Sequence, residues 1–271
     1  VEKPTPITDA CRRRGFRSAN DDLIYGLPLQ TLEGFDRTLE IAVQARPDRL
    51  AVYSYAHLPN LFRPQQQIRA QDLPSPQAKL ALLQRAIERL GEAGYVYIGM
   101  DHFALPGDDL ALAQSHGDLH RNFMGYTTCA DSDLVGLGVS AISHIGSSFS
   151  QNPRDLPSWE RAIDEGRLPV WRGMQMDGDD VVRADVIQQL MCLGGIDIPQ
   201  TERRHMMDFK EYFAHSLQQL KLLERDGLVE LSSRAIRATP RGRLLLRVVA
   251  ACFDRYLAPQ DAGATQFSRT V

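Results

Sequence analysis

Residues 19–55 read ANDDLIYGLPLQTLEGFDRTLEIAVQARPDRLAVYSY, and they predict a strand, a helix and a second strand in that order. The first strand spans Ala19–Tyr25 and ends at a glycine. Thr31 can cap the helix, whose apolar residues recur on one face until Pro47 stops it. Leu50–Tyr55, which is rich in Val and Tyr, is the second strand. A strand, a crossover helix and a strand are typical of a parallel sheet.

The alternation of strands and helices continues downstream. Ser75 and Pro76 make a good start for another helix, in which leucines and an isoleucine repeat at helical spacing. Tyr95–Met100 predicts a third strand, and Asp133–Gly138 predicts a short fourth. The pattern therefore predicts an α/β fold with a parallel sheet and crossover helices. Periodicity leaves a barrel and an open sheet as alternatives.

Helices dominate the chain after about Asn152. Three are predicted there, at Pro157–Gly166, Asp179–Leu193 and Asp208–Arg225. A hairpin and a last helix follow, at Leu228–Leu231, Ala235–Ala238 and from Pro240 onward. A helix, a hairpin and a helix in this order are typical of a winged-helix module. We expect the boundary near Trp171–Gly178, which divides the chain into residues 1–174 and 175–271.

The composition is that of an ordinary globular protein, with 271 residues, 43% hydrophobic and 24% charged. A net charge of −3 gives no overall field toward nucleic acid or an anionic membrane, and no apolar run suffices for a membrane span. The four cysteines are scattered without a CxxC spacing, which indicates free thiols in the cytoplasm and no metal site. Because the chain opens at Val1 with a helix and no strand before it, we expect part of a longer protein.

A segment rich in basic and aromatic side chains occupies residues 120–143, HRNFMGYTTCADSDLVGLGVSAIS. Its first half is too polar for a core strand. Its second half is an apolar run broken by Gly136 and Gly138, and such glycines let a backbone approach something closely. The segment therefore predicts an edge at which a ligand binds.

Other polar residues stand at or near predicted strands. Asp22 lies in an apolar strand and needs a partner, which can be a ligand, a helix N-terminus or a neighbouring arginine. Asp101 and His102 suggest acid–base chemistry or metal binding, with a hydrogen-bonded strand end as the alternative. No GxSxG, HExxH or P-loop motif occurs. The residues alone predict a ligand-binding α/β domain followed by a helical or winged domain.

Several segments together resemble the oxygen-independent coproporphyrinogen III oxidase (dehydrogenase) family of radical S-adenosylmethionine (SAM) enzymes. They are DLIYGLPLQT at 22–31, YSYAHLPNLF at 53–62, IGMDHFALP at 98–106, HRNFMGYTT at 120–128 and DLVGLGVSAIS at 133–143. The similarity runs through nearly the whole chain, to the QFSR tail at 266–269. It implies the C-terminal part of a partial (β/α) barrel, followed by a mostly helical, winged-helix-like domain.

The resemblance also implies cofactors. The family holds a 4Fe-4S cluster through a CxxxCxxC motif that this sequence lacks, so the cluster ligands are expected on an N-terminal part outside this chain. Position by position, Asp22 matches a contact to a second SAM molecule. Ala56 and Ile142 match contacts to the first, cluster-bound SAM, where small and apolar residues suit an adenine ring.

The implied reaction is the oxidative decarboxylation of coproporphyrinogen III to protoporphyrinogen IX in haem biosynthesis. A 5′-deoxyadenosyl radical from SAM abstracts hydrogen from a propionate, and loss of carbon dioxide and an electron leaves a vinyl group, twice per substrate. The four substrate carboxylates call for cations, and His120 and Arg121 are the candidates, with a solvated basic loop as the alternative. We expect a cytoplasmic monomer with an unidentified electron donor and acceptor, and no nucleic-acid or membrane partner.

Two other functions stay open. A haem-binding paralogue of the same superfamily shares the DLIYGLP and GLG types of segment, but HRNFMGYTT favours the porphyrinogen enzyme. A winged-helix module that binds nucleic acid should carry a basic face. Residues 175–271 contain 13 Lys and Arg against 13 Asp and Glu, a net charge of zero, which disfavours this reading.

Overall fold

The computed structural model describes residues 5–130 and 132–257. The helices are α1 Thr5–Arg13, α2 Leu32–Ala45, α3 Pro76–Glu92, α4 Asp109–His116, α5 Leu156–Asp164, α6 Gly178–Leu193, α7 Ile198–His205, α8 Phe209–Tyr212, α9 Ala214–Arg225, α10 Pro240–Leu244 and α11 Leu246–Ala251. Two short 3₁₀ helices span Arg63–Gln67 and Ala70–Asp72. The QFSR tail lies outside the described residues.

The strands form four small sheets. They are β1 Asn20–Tyr25, β2 Arg49–Ser54, β3 Val96–Gly99, β4 His102–Ala104, β5 His120–Asn122, β6 Gly125–Thr127, β7 Ile142–Ile145, β8 Ser148–Gln151, β9 Arg172–Gln175, β10 Gly195–Asp197, β11 Val229–Leu231 and β12 Ala235–Ala238. The sheet orders are β1-β2-β4-β3, β5-β6, β7-β8-β9 and β10-β12-β11. The predicted mixture of helices and strands is confirmed.

The first sheet is only partly parallel. Strands β1 and β2 pair in parallel, as residues 19–55 predict, and helix α2 connects them. The third predicted strand does form, as β3, but it does not pair with β2. Gly99 and Met100 have φ values of 150° and 52°, and they turn the chain back so that β4 runs antiparallel between β2 and β3. The prediction of a wholly parallel sheet was therefore wrong at this hairpin.

Helices α2 and α3 cover one face of this sheet. The side chains of Thr31 and Ser75 accept hydrogen bonds from Gly34 N (3.1 Å) and Ala78 N (3.2 Å), so both predicted helix starts are confirmed. The core between helices and sheet contains the buried side chains of Phe35, Leu39, Leu50, Val52, Leu82, Leu90 and Phe103. Burial of this apolar surface fixes the sheet and determines which side chains point to its other face.

Helix α4 covers the β3–β4 end of the opposite face. Ile98 and Ala104 pack there against Leu110 and Ala113. The Asp108 carboxylate caps this helix at Leu110 N (2.9 Å) and forms an ion pair with Arg49. Near β1, none of the described helices covers this face. The side chains of Ile24 and Tyr53 are therefore 46% and 37% exposed.

The predicted strand Asp133–Gly138 was wrong. Only Leu134 forms a bridge there, with His144. Gly138 has a φ of 95°, which breaks an extended run, and a side chain at Gly136 would collide with the backbone of Ile142. The chain becomes extended later, in strands β7, β8 and β9, where the polar sequences gave no strand signal.

The C-terminal part is mainly helical, with one small sheet. Its core contains Val186, Leu190, Ile196, Phe209, Phe213, Leu220, Ile236, Val249 and Phe253. The hairpin of β11 and β12 and the helix start at Pro240 are confirmed. The helix predicted at Asp208–Arg225 is divided at Phe213 into α8 and α9, and α7 was not predicted. Its winged-helix character stays a prediction.

Membrane-spanning helices were sought in residues 5–130 and 132–257. None of the helices there combines the length and the hydropathy that a membrane span requires.

Candidate functional site

The uncovered face of the first sheet carries polar, aromatic and aliphatic side chains, which we call the open face: Asp22, Ile24, Tyr53 and His102. Strand register places them together, since Asp22 lies opposite Ala51 and Ala51 lies opposite His102. Ile24 is likewise opposite Tyr53. Because side chains alternate along a strand, these residues share the face turned away from α2 and α3.

His102 lies at the centre of this group. Its ring contacts Tyr53 and Tyr126 edge-on, with centroids 6.0 and 5.3 Å apart. The Nδ1 atom is buried and has no hydrogen-bond partner in the structure. Burial lowers the pKa of His102, and the positive charge of Arg121 lowers it further, against an opposing effect of Asp22. The imidazole is therefore neutral at physiological pH.

Arg121 is held beside His102 by a short hairpin and by α6. It lies in β5 opposite Tyr126 in β6, with its guanidinium carbon 5.9 Å from the centroid of that ring. Gln188 Nε2 donates to the Arg121 carbonyl (2.9 Å), and the Tyr126 hydroxyl donates to the Met191 carbonyl (2.8 Å). These two hydrogen bonds between the hairpin and α6 fix the position of the hairpin.

The guanidinium of Arg121 has no carboxylate within 4.0 Å among the described residues, whose ion pairs involve other cations. Its Nε atom is buried without a hydrogen-bond partner. Both His120 and Arg121 line a cavity of about 1760 Å³ between the β5–β6 hairpin, α6 and the sheet of β10 and β12. A partly buried cation at a cavity wall is well suited to bind an anionic group.

Ala56 lies at a different cavity. It follows the carboxyl end of β2, and its carbonyl accepts a hydrogen bond from Gln65 Nε2 (3.0 Å). This second cavity has a volume of about 540 Å³ and is lined in part by Tyr25, Lys79 and Asp101. The carboxyl ends of parallel strands are the usual place for ligands in α/β folds.

Ile142 begins β7, on a sheet separate from the open face. A Cβ atom at Gly136 would lie 2.6 Å from the Ile142 carbonyl oxygen, so this glycine is needed for a close approach within the chain itself. The sequence predicts a ligand edge at Gly136, and the structure instead places the Ile142 backbone there. The structure brings Asp22, Arg121 and His102 together, whereas Ala56 and Ile142 lie on other elements.

Asp101 and His102 do not act as a pair. The Asp101 carboxylate lies 3.3 Å from Arg247 Nη2 and lines the smaller cavity, whereas His102 contacts Tyr53 and Tyr126. Burial raises the pKa of Asp101, and the charges of Arg247 and Arg121 oppose this rise. The alternative of a strand end is the better description, because the Asp101 carbonyl accepts a hydrogen bond from Val52 N (2.7 Å).

Tyr126 and Gln188 were missed by the sequence reasoning. The spacing RNFMGY could have revealed Tyr126, since a two-residue turn at Phe123–Met124 sets positions 121 and 126 opposite each other. Gln188 gave no signal, because its contact joins residues 67 positions apart in the sequence.

Metal ligands were sought among the described residues. No group of three or more His, Cys, Asp or Glu side chains there could hold a metal ion. Cys11, Cys129, Cys192 and Cys252 are all free thiols, and burial raises the pKa of Cys192 to about 12. The described residues therefore do not fit an iron–sulfur cluster.

Comparisons with known proteins give a consistent answer. The family model "HemN C-terminal domain" matches residues 176–245. An oxygen-independent coproporphyrinogen III oxidase from Thermostichus vulcanus is 43% identical over 266 residues, which cover 98% of this chain and 81% of that protein. This chain belongs to the oxygen-independent coproporphyrinogen III oxidase family. The family relative from Salmonella typhimurium is 51% identical over 265 residues, 98% of this chain and 58% of the relative.

The fold of the family is also present. The structure of coproporphyrinogen III oxidase (HemN) from Escherichia coli, described as a radical SAM enzyme, matches with a TM-score of 0.90 and 48% identity. The match covers 93% of this chain and 58% of that chain. The predicted fold class, the C-terminal part of a radical SAM barrel with a helical region after it, is confirmed by this match. The chain thus spans 58% of the length of this relative and of the one from Salmonella.

Proposed function

We propose that this chain forms part of an enzyme that converts coproporphyrinogen III to protoporphyrinogen IX without oxygen, by oxidative decarboxylation of two propionates. The observation that supports the proposal is the 43–51% identity to relatives named as coproporphyrinogen III oxidases, which extends over 98% of the chain. The segment HRNFMGYTT supports it from the structure, because it folds into the hairpin that presents Arg121 to the large cavity.

The residues present fit SAM but not the cluster. Asp22 offers an exposed carboxylate on the open face, suited to a ribose hydroxyl or an ammonium group. Ala56 and Ile142 are the proposed apolar contacts to the other SAM molecule. The 4Fe-4S cluster requires cysteine thiolates in proximity, and we propose that these belong to residues outside this chain.

When bound, SAM supplies the hydrogen-abstracting chemistry of the reaction. The residues of this chain bind and orient. Arg121 binds a propionate of the substrate, and His120 lines the same cavity. His102 and the aromatic rings beside it exclude water from the reacting side chain.

The proposal includes the setting of the enzyme. It acts as a cytoplasmic monomer with an electron donor and an electron acceptor, and it does not require nucleic acid or a membrane. We also propose a division near residue 174. In support, the buried side chains of the C-terminal core lie between Val186 and Phe253, and among the described residues Met100 is the one hydrophobic residue before position 174 that packs against them.

A chimera tests the proposal. Residues 1–271 replace the matching segment of the Escherichia coli relative, which is 49% identical over 265 residues. We expect the reconstituted chimera to release carbon dioxide and form vinyl product from coproporphyrinogen III under anaerobic conditions, with the parent enzyme as the control. A folded chimera that holds its cluster but leaves the substrate unchanged would contradict the proposal. Tight haem binding without decarboxylation would favour the paralogue instead.

A further inference from the structure

Arg121 has no ion-pair partner within 4.0 Å among the described residues, although its charge acts on the Asp101 carboxylate from a longer distance. Its guanidinium stacks near Tyr126, its Nε is buried without a hydrogen-bond partner, and its carbonyl is held by Gln188. A partly buried cation whose buried Nε lacks a hydrogen-bond partner is unfavourable, and an anion from outside the chain would offset that cost.

His102 lies near Arg121, and burial is the main cause that lowers its pKa. His102 contacts the ring of Tyr126, and its Nδ1 is also buried without a partner. The charges that act on His102 come from Arg121 on β5, Asp22 on β1 and Arg49 on β2. Tyr53 and Tyr126 provide the remaining titratable neighbours, and burial raises the pKa of both hydroxyls. Arg49 is already paired with Asp108 at 2.9 Å, so of these two cations Arg121 is the one without an ion-pair partner among the described residues.

We propose that Arg121 binds a carboxylate of the ligand and that His102 takes up one proton from solvent when the carboxylate binds. Burial is the largest cause that lowers the pKa of His102, and the repulsion from Arg121 is the next. A carboxylate bound to Arg121 removes this second cause, so the imidazolium is more favourable in the complex than in the free protein. His102 acts through this charge and is a positioning residue. The inference deepens the proposed function, on which it rests for the propionate-bearing ligand.

The size of the cavity is compatible with such a ligand. Its volume of about 1760 Å³ exceeds that of ordinary drug-sized sites, which are about 300–1000 Å³, and a tetrapyrrole with four propionates is larger than such ligands. Arg204, Arg237 and Arg243 line other parts of the same cavity. Arg204 is already paired with Asp185. Among the arginines at this cavity, Arg121 is the one with a buried Nε atom that lacks a hydrogen-bond partner, so it is the candidate for a carboxylate.

The test uses the 271-residue chain and coproporphyrin III, a stable oxidised analogue with four propionates. Its tetramethyl ester, which has the same ring and no carboxylates, is the matched probe. We expect Arg121→Gln to weaken coproporphyrin binding about tenfold to a hundredfold and to leave ester binding unchanged, because a charged hydrogen-bonded pair is lost. Arg172→Gln, on exposed β9 away from the cavity, is the control and should have no effect.

The proton uptake has its own measurement. Calorimetry in buffers of different ionisation enthalpy should detect up to one proton taken up near pH 7, and His102→Gln should abolish this uptake. Affinity of the unmodified chain should rise as the pH falls from about 8 to about 6, a range in which the propionates stay ionised. Circular dichroism melts verify that each variant is folded, and Arg121→Lys should retain part of the affinity.

Several outcomes would overturn the inference. These are no binding of coproporphyrin by the unmodified chain, equal losses for the ester and the acid, and proton uptake that persists in His102→Gln. The experiments also distinguish failure of this inference from failure of the proposed function. An inactive chimera whose coproporphyrin binding still depends on Arg121 would reject the reaction and keep the carboxylate site. An active chimera in which Arg121→Gln leaves the KM unchanged would keep the reaction and reject the carboxylate site.

Discussion

The hydroxyl group of Tyr126 occupies the space that a side chain at Gly99 would need. A Cβ atom on Gly99 would lie 2.5 Å from Tyr126 Oη, closer than van der Waals contact permits. Gly99 also has a φ of 150°, a conformation that L side chains rarely adopt. The turn between β3 and β4 and the hairpin that carries Arg121 therefore depend on each other.

Gly99→Ala should destabilise the protein by about 2–4 kcal/mol, because strain in the backbone adds to the collision with Tyr126. The double variant with Tyr126→Phe should recover part of this loss, since the hydroxyl is the atom in conflict. Urea denaturation measures all three free energies of unfolding. Gly107→Ala is the control, because Gly107 is exposed and a Cβ there meets nothing within 4 Å. An equal loss in both alanine variants would contradict the collision.

Asp108 should be a strong determinant of stability. Its side chain is 3% exposed and accepts hydrogen bonds from Arg49 Nε, Leu110 N and Ser18 Oγ, each at 2.9 Å. Asp108→Ala removes the cap of α4 and leaves Arg49 without a partner, so we expect a loss of about 3–5 kcal/mol in unfolding free energy. In the exposed pair of Glu33 and Arg37, Glu33→Gln should change it by less than about 1 kcal/mol. Comparable effects in the two variants would be inconsistent with this account.

Asp179 should make the stability of the C-terminal part depend on acid pH. Burial alone would raise its pKa, but hydrogen bonds from Tyr212, Arg183 and Arg255 outweigh burial and lower the pKa to about 2. Its pKa in the unfolded chain is the ordinary 3.8. Because the folded value is the lower one, the stabilisation is complete above about pH 4 and is lost as the pH falls from about 4 to about 2.

The measurement compares the unfolding free energy of Asp179→Asn with that of the unmodified protein across this range. The difference should be about 1–2 kcal/mol at neutral pH and should shrink toward zero near pH 2. Glu160→Gln, which changes an exposed carboxyl on α5, provides the control and should follow the unmodified curve. A difference that stays constant with pH would exclude a contribution from the ionisation of Asp179.

The isolated chain should not hold a cluster. Its described residues contain no group of potential ligands in proximity, and Cys192, with a pKa raised by burial to about 12, is a poor thiolate donor. After anaerobic reconstitution and desalting, iron should be near zero per chain, whereas a 4Fe-4S protein retains about four. The chimera described above is the positive control. Stable retention of about four iron atoms by the chain alone would refute the expectation.

Patterns within one element predicted the fold well. Thr31 and Ser75 signalled the starts of α2 and α3, because a capping side chain acts within three residues of itself. The β11–β12 hairpin was predicted for the same reason, because its two strands are close together in the sequence. Strand β4 was not predicted, since three residues carry almost no periodic signal and its place beside β2 follows from the turn at Gly99 and Met100.

The candidate site was harder to predict, because it depends on register and distant contacts. Arg121 was singled out from the basic and aromatic character of its segment. The role of His102 was hidden, since nothing in the sequence indicates that Asp101 lies beside Arg247 whereas His102 contacts Tyr53 and Tyr126. Gly136 looked like a site for a ligand, but its close contact is with Ile142 of the same chain. A glycine in the sequence indicates a close backbone approach, but it does not indicate whether the neighbour is a ligand or another part of the chain.

The order of the first sheet leaves β1 at its edge, with β2 as its neighbour. An edge strand can accept another strand through its backbone. Asp21 and Asp22 place two carboxylates there, and burial together with the charge of Asp22 raises the pKa of Asp21. A second copy of β1 would bring like charges against this edge, whereas a strand with neutral or basic residues would not. The charges at β1 are thus unfavourable for a neighbouring strand with like charges and compatible with one that carries neutral or basic residues.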